Sequence, residues 1–163
     1  MASRDQLLEL AEPWLPTEHQ NLDKKDLLDL LFSFAIEPGL REVPALFVTD
    51  YPACMAALAT LQHDDVNSYA KANRFELYLN GIELANGYHE LTDVAAHQQR
   101  FSADQQRRVD LALPDMAIDT RFLAALEKGL PACSGVALGV DRLLMALSNK
   151  PLGDVLTFAF ERA

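Results

Sequence analysis

Three polar residues that could bind a metal ion or an ammonium group lie close together in the segment GIELANGYHEL. Glu83, Asn86 and Glu90 stand there among apolar or small residues, and polar side chains in such surroundings need partners. Two carboxylates and one amide converging on one point would bind a divalent cation through hard oxygen ligands, or a ligand ammonium, or both. An ordinary hairpin with Glu83 on its solvent face explains the same pattern, so the spacing alone leaves both interpretations open.

A second candidate is an arginine at the start of an apolar helix. The stretch GLPACSGVALGVDRLLMAL runs through small residues, which let a ligand approach the backbone, before it reaches Asp141 and Arg142. An arginine at a helix N-terminus offers planar donors beside the positive end of the helix dipole, which suits an anion such as phosphate. The alternative is a buried strand followed by a core helix, with Arg142 paired to a carboxylate.

The acidic residues fall on the return strand of a predicted β-hairpin. Phe75, Leu77 and Leu79 alternate with polar or aromatic residues. The Asn80-Gly81 pair that follows supplies the two residues of positive φ that a two-residue turn requires. We therefore predict an antiparallel hairpin over RFELYLNGIELANGYHEL.

Convergence of the three polar residues depends on an irregularity in this return strand. In a regular strand Asn86 and Glu90 share one face, whereas Glu83 lies on the other. A bulge between Leu84 and Gly87 would bring all three together, and we expect Gly87 to absorb it.

The remaining pattern predicts helices around this hairpin. Hydrophobic periodicity and turn signals give the following order of elements. We predict two helices within Asp5–Ala35, a strand in ALFVTDYP, a surface loop over His63–Ala72, a long helix from Thr92, a short helix over Arg121–Lys128, a strand over Cys133–Val140 and a final apolar helix. The predicted fold class is α+β, with an antiparallel β-sheet flanked by helices.

Length, charge and composition exclude several classes of function. The chain has 163 residues, which fit one domain, and a formal net charge of −10. Binding to a nucleic-acid backbone takes clustered Lys and Arg, so a broad nucleic-acid interface is not expected. No apolar run approaches the ~18 residues of a membrane span and the N-terminus has no signal-peptide pattern, which predicts a cytoplasmic chain. Two cysteines without C-x-x-C spacing and four scattered histidines do not predict a structural metal site.

The two candidate segments resemble a known family. GIELANGYHELTD, the following HQQRF and GLPACSGVALGVDRLLM resemble the last third of class II lysyl-tRNA synthetases and, more closely, the elongation factor P (R)-β-lysine ligases. The last of these stretches is similar to class II motif 3. The resemblance implies the C-terminal portion of a class II aminoacyl-tRNA synthetase-like catalytic fold, with residues 1–40 as a helical insertion-like segment and residues 41–163 as the sheet core.

The resemblance also implies an ATP-dependent ligase and roles for four residues in it. Glu83, with the backbone of Leu84, would lie at Mg²⁺ and the ATP phosphates. Gly139 would let the adenosine lie against the backbone, and Arg142 would bind the phosphate tail. Glu83 and Arg142 are therefore the expected catalytic residues, and ATP and Mg²⁺ the expected cofactors.

Three further residues would bind the amino acid. Asn86 would hold its activated carboxyl end and Glu90 would receive its ammonium group. At Ala137 the lysyl-tRNA synthetases resemble AGLGIGIDR, with glycine, whereas the β-lysine ligases have alanine. A methyl group there would reshape the pocket. The resemblance thus favours (R)-β-lysine over lysine, with a lysine of elongation factor P as acceptor.

Part of the class II pattern is expected to be absent. The chain starts downstream of the place of motifs 1 and 2, so the dimer-forming helix and the motif 2 arginine have no counterpart. We expect the chain alone to be inactive or nearly so, and the full-length enzyme to be a homodimer. The alternatives are the C-terminal part of a lysyl-tRNA synthetase and a non-catalytic interaction module that retains the fold.

Overall fold

A four-stranded antiparallel sheet forms the centre of the computed structural model, which describes residues 2–15, 22–64 and 69–160. The strands are β1 Ala45–Val48, β2 Leu61–Asp64, β3 Tyr69–Ala72, β4 Arg74–Leu79, β5 Ile82–His89 and β6 Ser134–Leu138. The helices are α1 Arg4–Ala11, α2 Lys24–Leu31, α3 Val94–Asp110, α4 Thr120–Leu126, α5 Val140–Ser148 and α6 Leu152–Val155. The main sheet has the order β1-β4-β5-β6, and β2 and β3 pair separately. The predicted α+β class is confirmed.

Both N-terminal helices begin at capping boxes and pack against each other. Ser3 caps α1 and Asp23 caps α2, each accepting a backbone N–H of the first turn. Leu7, Ala11 and Leu27 are buried between the two helices. The segment between them, residues 16–21, lies outside the described residues. Among the described residues, no helix is long and apolar enough to cross a membrane.

The predicted hairpin is formed by β4 and β5. Asn80 and Gly81 have φ angles of 48° and 76°, the left-handed pair that matches strand twist in a two-residue turn. The register places Tyr78 opposite Glu83 and Leu77 opposite Ala85, so one residue of β5 is unpaired.

That unpaired residue is Leu84, and the prediction that Gly87 absorbs the bulge is wrong. Gly87 pairs in register with Phe75 on one side and Val136 on the other. Its lack of a side chain has another reason, because a Cβ there would meet the Phe75 ring at 2.7 Å and the carbonyl oxygen of Gly135 at 2.8 Å.

The expectation of a surface loop over His63–Ala72 is wrong at both ends of that range, while residues 65–68 lie outside the described residues. Leu61–Asp64 and Tyr69–Ala72 form an antiparallel pair. Long-range backbone bonds hold it in place, since Ala72 N donates to the carbonyl oxygen of Tyr51 at 2.7 Å and Lys71 bridges to Pro52. These tertiary contacts override the polar local composition.

Replacing Ala112 by glycine is expected to stabilise the protein. Ala112 follows α3 with a φ of 51° and donates to Val109, while Leu113 donates to Arg108, which is the Schellman arrangement. An alanine in this left-handed conformation is strained, so we expect a gain of about 0.5–1 kcal/mol in the free energy of unfolding. Urea unfolding measures it. The control Ala103→Gly, inside the same helix, should lose about 1 kcal/mol; no gain at Ala112 would show that its conformation is not strained.

Candidate functional site

The bulge at Leu84 adds Glu83 to a side of the sheet that already carries polar residues. Residues directly opposite each other in an antiparallel pair project to the same face. Glu83 therefore shares a face with Tyr78, and Asn86 with Glu76. Without the extra residue Glu83 would point to the opposite side. We call this surface the polar face, and its residues are Arg74, Glu76, Tyr78, Glu83, Asn86, Tyr88, Glu90, Gly135 and Ala137.

At one end of the polar face, Glu83 meets Arg142. Nη1 of Arg142 donates to the carbonyl oxygen of Glu83 at 2.7 Å and lies 3.6 Å from its carboxylate Oε2. The two side chains are 50% and 38% exposed, so both remain accessible to a ligand. Arg142 stands in the first turn of α5, where the helix dipole adds positive potential. This end of the face combines an arginine, a carboxylate and a helix N-terminus.

A tight backbone contact brings α5 to this position. Gly139, which precedes α5, donates its N–H to the carbonyl oxygen of Leu84 at 2.9 Å. A Cβ on Gly139 would lie 3.3 Å from Cδ of Arg142 and 3.5 Å from that carbonyl oxygen. The four residues expected at ATP are thus neighbours. Because Gly139 has no side chain, the backbone beside Arg142 remains accessible to a ligand. The surroundings fit an anionic ligand such as a nucleotide phosphate.

At the other end of the polar face, Glu90 lies over β6. A Cβ built on Gly135 would overlap the Glu90 carboxylate at Oε1 and lie 3.4 Å from its Cδ. The Glu90 backbone N–H donates to Cys133 at 2.9 Å, which fixes the strand there. Ala137 is exposed and lies directly opposite Asn86. The three residues expected to bind the amino acid therefore also share the polar face.

The sequence analysis missed a buried carboxylate at the centre of this face. Glu76 is only 7% exposed, accepts from the Tyr78 hydroxyl at 2.8 Å and from Nδ2 of Asn86 at 3.2 Å, and pairs with Arg74. Burial raises the pKa of the Tyr78 hydroxyl, and the nearby Glu76 raises it further. The available signal was the spacing of Arg74, Glu76 and Tyr78 at alternate positions of β4, since two charged residues on one face of a central strand need partners.

Among the residues that the structure describes, two buried polar atoms beside Glu76 have no hydrogen-bond partner. They are Oδ1 of Asn86 and Nε of Arg74. A buried polar group without a partner costs about 1–3 kcal/mol, so such atoms mark places where a ligand can bind. As placed, Asn86 offers an acceptor, which suits an ammonium group or a cation better than the carboxyl end that the resemblance implies for it.

The side chains of the polar face fit Mg²⁺ only if phosphate oxygens of a bound nucleotide complete its coordination. Among the residues that the structure describes, no group of three or more His, Cys, Asp or Glu side chains could hold a metal ion. Glu83 supplies one accessible carboxylate, and Mg²⁺ in nucleotide sites is usually held by one or two carboxylates and by phosphate oxygens. The polar face is consistent with a metal that arrives with its nucleotide.

A further cavity of about 800 Å³ lies between α2, α3 and the segment Ala53–Leu58, and Arg74 of the polar face also lines it. Its arginines are already engaged. Arg100 donates to the carbonyl oxygens of Ala57 and Ala59, and Arg107 pairs with Asp26. This cavity is a junction between helices and does not include Glu83, Glu90 or Arg142.

Comparison with known proteins assigns the chain to a family. Residues 11–162 match the tRNA synthetases class II (D, K and N). The chain belongs to this family. The class II synthetase membership confirms the resemblance that the hairpin and motif 3 segments predicted. The boundaries expected within the class II domain, at residues 1–40 and 41–163, stay predictions.

Curated relatives of this class II chain carry a more specific name. Proteins from Hamiltonella defensa and Edwardsiella ictaluri, each named elongation factor P (R)-β-lysine ligase, are 49% identical over 86% of this chain and 43% of the relative. A protein of the same name from Sodalis glossinidius is 46% identical over 99% of this chain and 50% of the relative. The chain spans about half the length of the curated relatives it matches.

Proposed function

We propose that this chain is part of a cytoplasmic, ATP-dependent ligase that activates (R)-β-lysine as an adenylate and transfers it to a lysine of elongation factor P. The observation that carries the proposal is the bulge at Leu84, which puts Glu83 on the same face as Asn86, Glu90 and Ala137. One surface then offers a phosphate site and an ammonium site. The names of the relatives supply the substrate and the acceptor.

The two ends of the polar face match the two halves of the activation reaction. In this step the amino-acid carboxylate attacks the α-phosphorus of ATP, the bond to the β-phosphate oxygen breaks and pyrophosphate leaves. Mg²⁺ would neutralise phosphate charge, with Glu83 as the protein carboxylate nearest to it. Arg142 binds the phosphate tail and Glu90 holds the substrate ammonium, so that the chain orients both reactants on one strand.

We further propose that the chain alone contains one side of the active site and that the complete enzyme is a homodimer that does not act on tRNA. The outer strand β6 exposes Val136 by 61% and Leu138 by 47%, and much of α5 is exposed as well. Such an open apolar surface is typical of a region that another part of the protein covers. The half-length match to the relatives supports the proposal that the chain holds one side of the site, and the net charge of −10 is the argument against tRNA.

The test is amino-acid-dependent ATP–pyrophosphate exchange, with (R)-β-lysine compared with α-lysine. It is run on the purified chain and on the chain joined to the part of the Sodalis relative that it does not match. Exchange that prefers β-lysine and is lost in Glu83→Gln supports the ligase. A preference for α-lysine would instead support a lysyl-tRNA synthetase. Absence of exchange and of ATP binding in both proteins would leave the non-catalytic interaction module.

Replacing Ala137 by glycine is expected to shift the preference toward α-lysine. The exposed methyl group of Ala137 lies opposite Asn86 on the polar face, so its removal enlarges the amino-acid pocket. One methyl group in a pocket changes discrimination by about 10- to 200-fold, and we expect the ratio of kcat/KM for β-lysine over α-lysine to fall within that range. The control Ala95→Gly, on the exposed side of α3, should leave the ratio unchanged. An unchanged ratio in Ala137→Gly would show that this methyl group does not border the amino acid.

A further inference from the structure

We propose that Arg74 is a positioning residue that sets the direction of the Asn86 side-chain amide through Glu76. Arg74 lies on the polar face, and the effect proposed here reaches the substrate through Glu76 and Asn86. Its effect on amino-acid binding rests on the proposed function, whereas its effect on Asn86 can be measured without any activity.

Arg74 is fixed by three contacts that leave it little freedom. Nη1 donates to the carbonyl oxygen of Met55 at 2.7 Å, Nη2 pairs with Oε1 of Glu76, and the guanidinium lies 4.5 Å from the centre of the Tyr51 ring. Its side chain is 15% exposed. A planar guanidinium can make these contacts at once, which the single ammonium of lysine cannot.

Glu76 connects the fixed Arg74 side chain to Asn86. Its Oε1 accepts from Arg74 and from Nδ2 of Asn86, and its Oε2 accepts from the Tyr78 hydroxyl. Since a carboxylate only accepts hydrogen bonds, it attracts the NH₂ side of the amide and repels the oxygen side. Asn86 must therefore turn Oδ1 away from Glu76, and this oxygen is the buried atom without a partner.

Removal of Arg74 is expected to free the Asn86 side-chain amide from its single orientation. Glu76 would lose its counter-charge at a position where its side chain is 10% exposed, and a buried carboxylate without a counter-charge is unstable. It would turn toward water or take up a proton. A protonated carboxyl group can also donate to Oδ1, so both outcomes remove the preference for one orientation of Asn86.

The experiment follows the Asn86 side-chain NH₂ group by ¹H–¹⁵N NMR, with the signal assigned by its loss in Asn86→Asp. In Arg74→Met and Glu76→Gln we expect its exchange with solvent to rise about 10- to 100-fold, the range for loss of a hydrogen bond to a charged group. Arg100→Met is the matched control, because Arg100 also anchors the turn after Met55, through the carbonyl oxygens of Ala57 and Ala59, but does not reach Glu76.

Each outcome decides the proposal. An Asn86 signal that changes in both variants, and not in Arg100→Met, supports it. An unchanged signal in a folded Arg74→Met protein or in Glu76→Gln, or an equal change in Arg100→Met, overturns it. If Arg74→Met does not fold, Glu76→Gln decides alone, since it removes only the negative charge that links Arg74 to Asn86.

A second measurement connects the amide to substrate binding. In the completed enzyme, we expect Arg74→Met and Asn86→Ala each to raise KM for β-lysine about 10-fold, and the double variant to raise it no further. If the KM changes of the two single variants add up in the double variant, Arg74 does not act through Asn86 and the proposal is overturned. If the unsubstituted protein binds no β-lysine, the proposed function fails, while the NMR result still decides the role of Arg74.

Discussion

Replacing Arg142 by alanine is expected to lower ATP–pyrophosphate exchange by about 100- to 1000-fold, the loss typical of removing one donor that binds developing charge in a transition state. Arg142 reaches the backbone of Glu83 at 2.7 Å and keeps half of its side chain exposed, so it is both anchored and available to phosphate. The nearby α5 N-terminus does not replace it, because a helix end supplies only partial charge.

The fold should survive this substitution. Arg142 is largely exposed, and its ion pair with Glu83 contributes at most ~1 kcal/mol at such a position. Binding of Mg²⁺-ATP, followed by calorimetry on the completed enzyme, separates loss of nucleotide binding from loss of structure. Arg121→Ala is the matched control, because it removes the same charge from an exposed position on α4. Equal ATP affinity in Arg142→Ala and Arg121→Ala would refute the phosphate site.

The hairpin that carries the site follows from local sequence. Asn80-Gly81 fixes the turn because few other residue pairs adopt two positive φ angles in succession, and the alternation before it fixes which side of β4 is apolar. The sequence also indicates that a bulge is needed for convergence, since a regular strand places Glu83 and Asn86 on opposite faces.

The position of the bulge could not be predicted in the same way. Leu84 and Ala85 are consecutive and both buried, which breaks the alternation without showing which residue leaves the ladder. Glycine was the expected position because it tolerates unusual backbone angles. In the structure Gly87 is instead required by the Phe75 ring and the adjacent strand, which are contacts that sequence spacing does not reveal.

The network around Glu76 also depends on contacts between distant parts of the chain. Arg74 is held by Met55, 19 residues earlier, and Asn86 meets Glu76 only once the hairpin has closed in the observed register. The pair of β2 and β3 likewise depends on bonds to Tyr51. Residue types predicted which side chains could do chemistry, and the tertiary contacts determine how they are oriented.

The second large effect is expected from Gly135→Ala, which should raise KM for the amino acid about 10- to 100-fold, the range for loss of a hydrogen bond to a charged group. The new methyl group would overlap Oε1 of Glu90, and the flexible carboxylate end is the part that can move. Glu90 would then turn away from the position in which it receives the substrate ammonium. Amino-acid dependence of exchange in the completed enzyme, at saturating ATP, measures the change.

The stability of Gly135→Ala should stay the same or rise slightly. Gly135 has no positive φ, and alanine in place of glycine restricts the unfolded chain, so thermal unfolding should show no loss. Two other glycines serve as controls. Gly153→Ala meets no atom within 4 Å and should leave KM unchanged, whereas Gly87→Ala should cost about 1–3 kcal/mol in the free energy of unfolding because its Cβ meets a ring and a backbone oxygen. An unchanged KM in a folded Gly135→Ala protein would mean that Glu90 does not receive the ammonium group. The amino acid would then bind at a place other than the Glu90 end of the polar face.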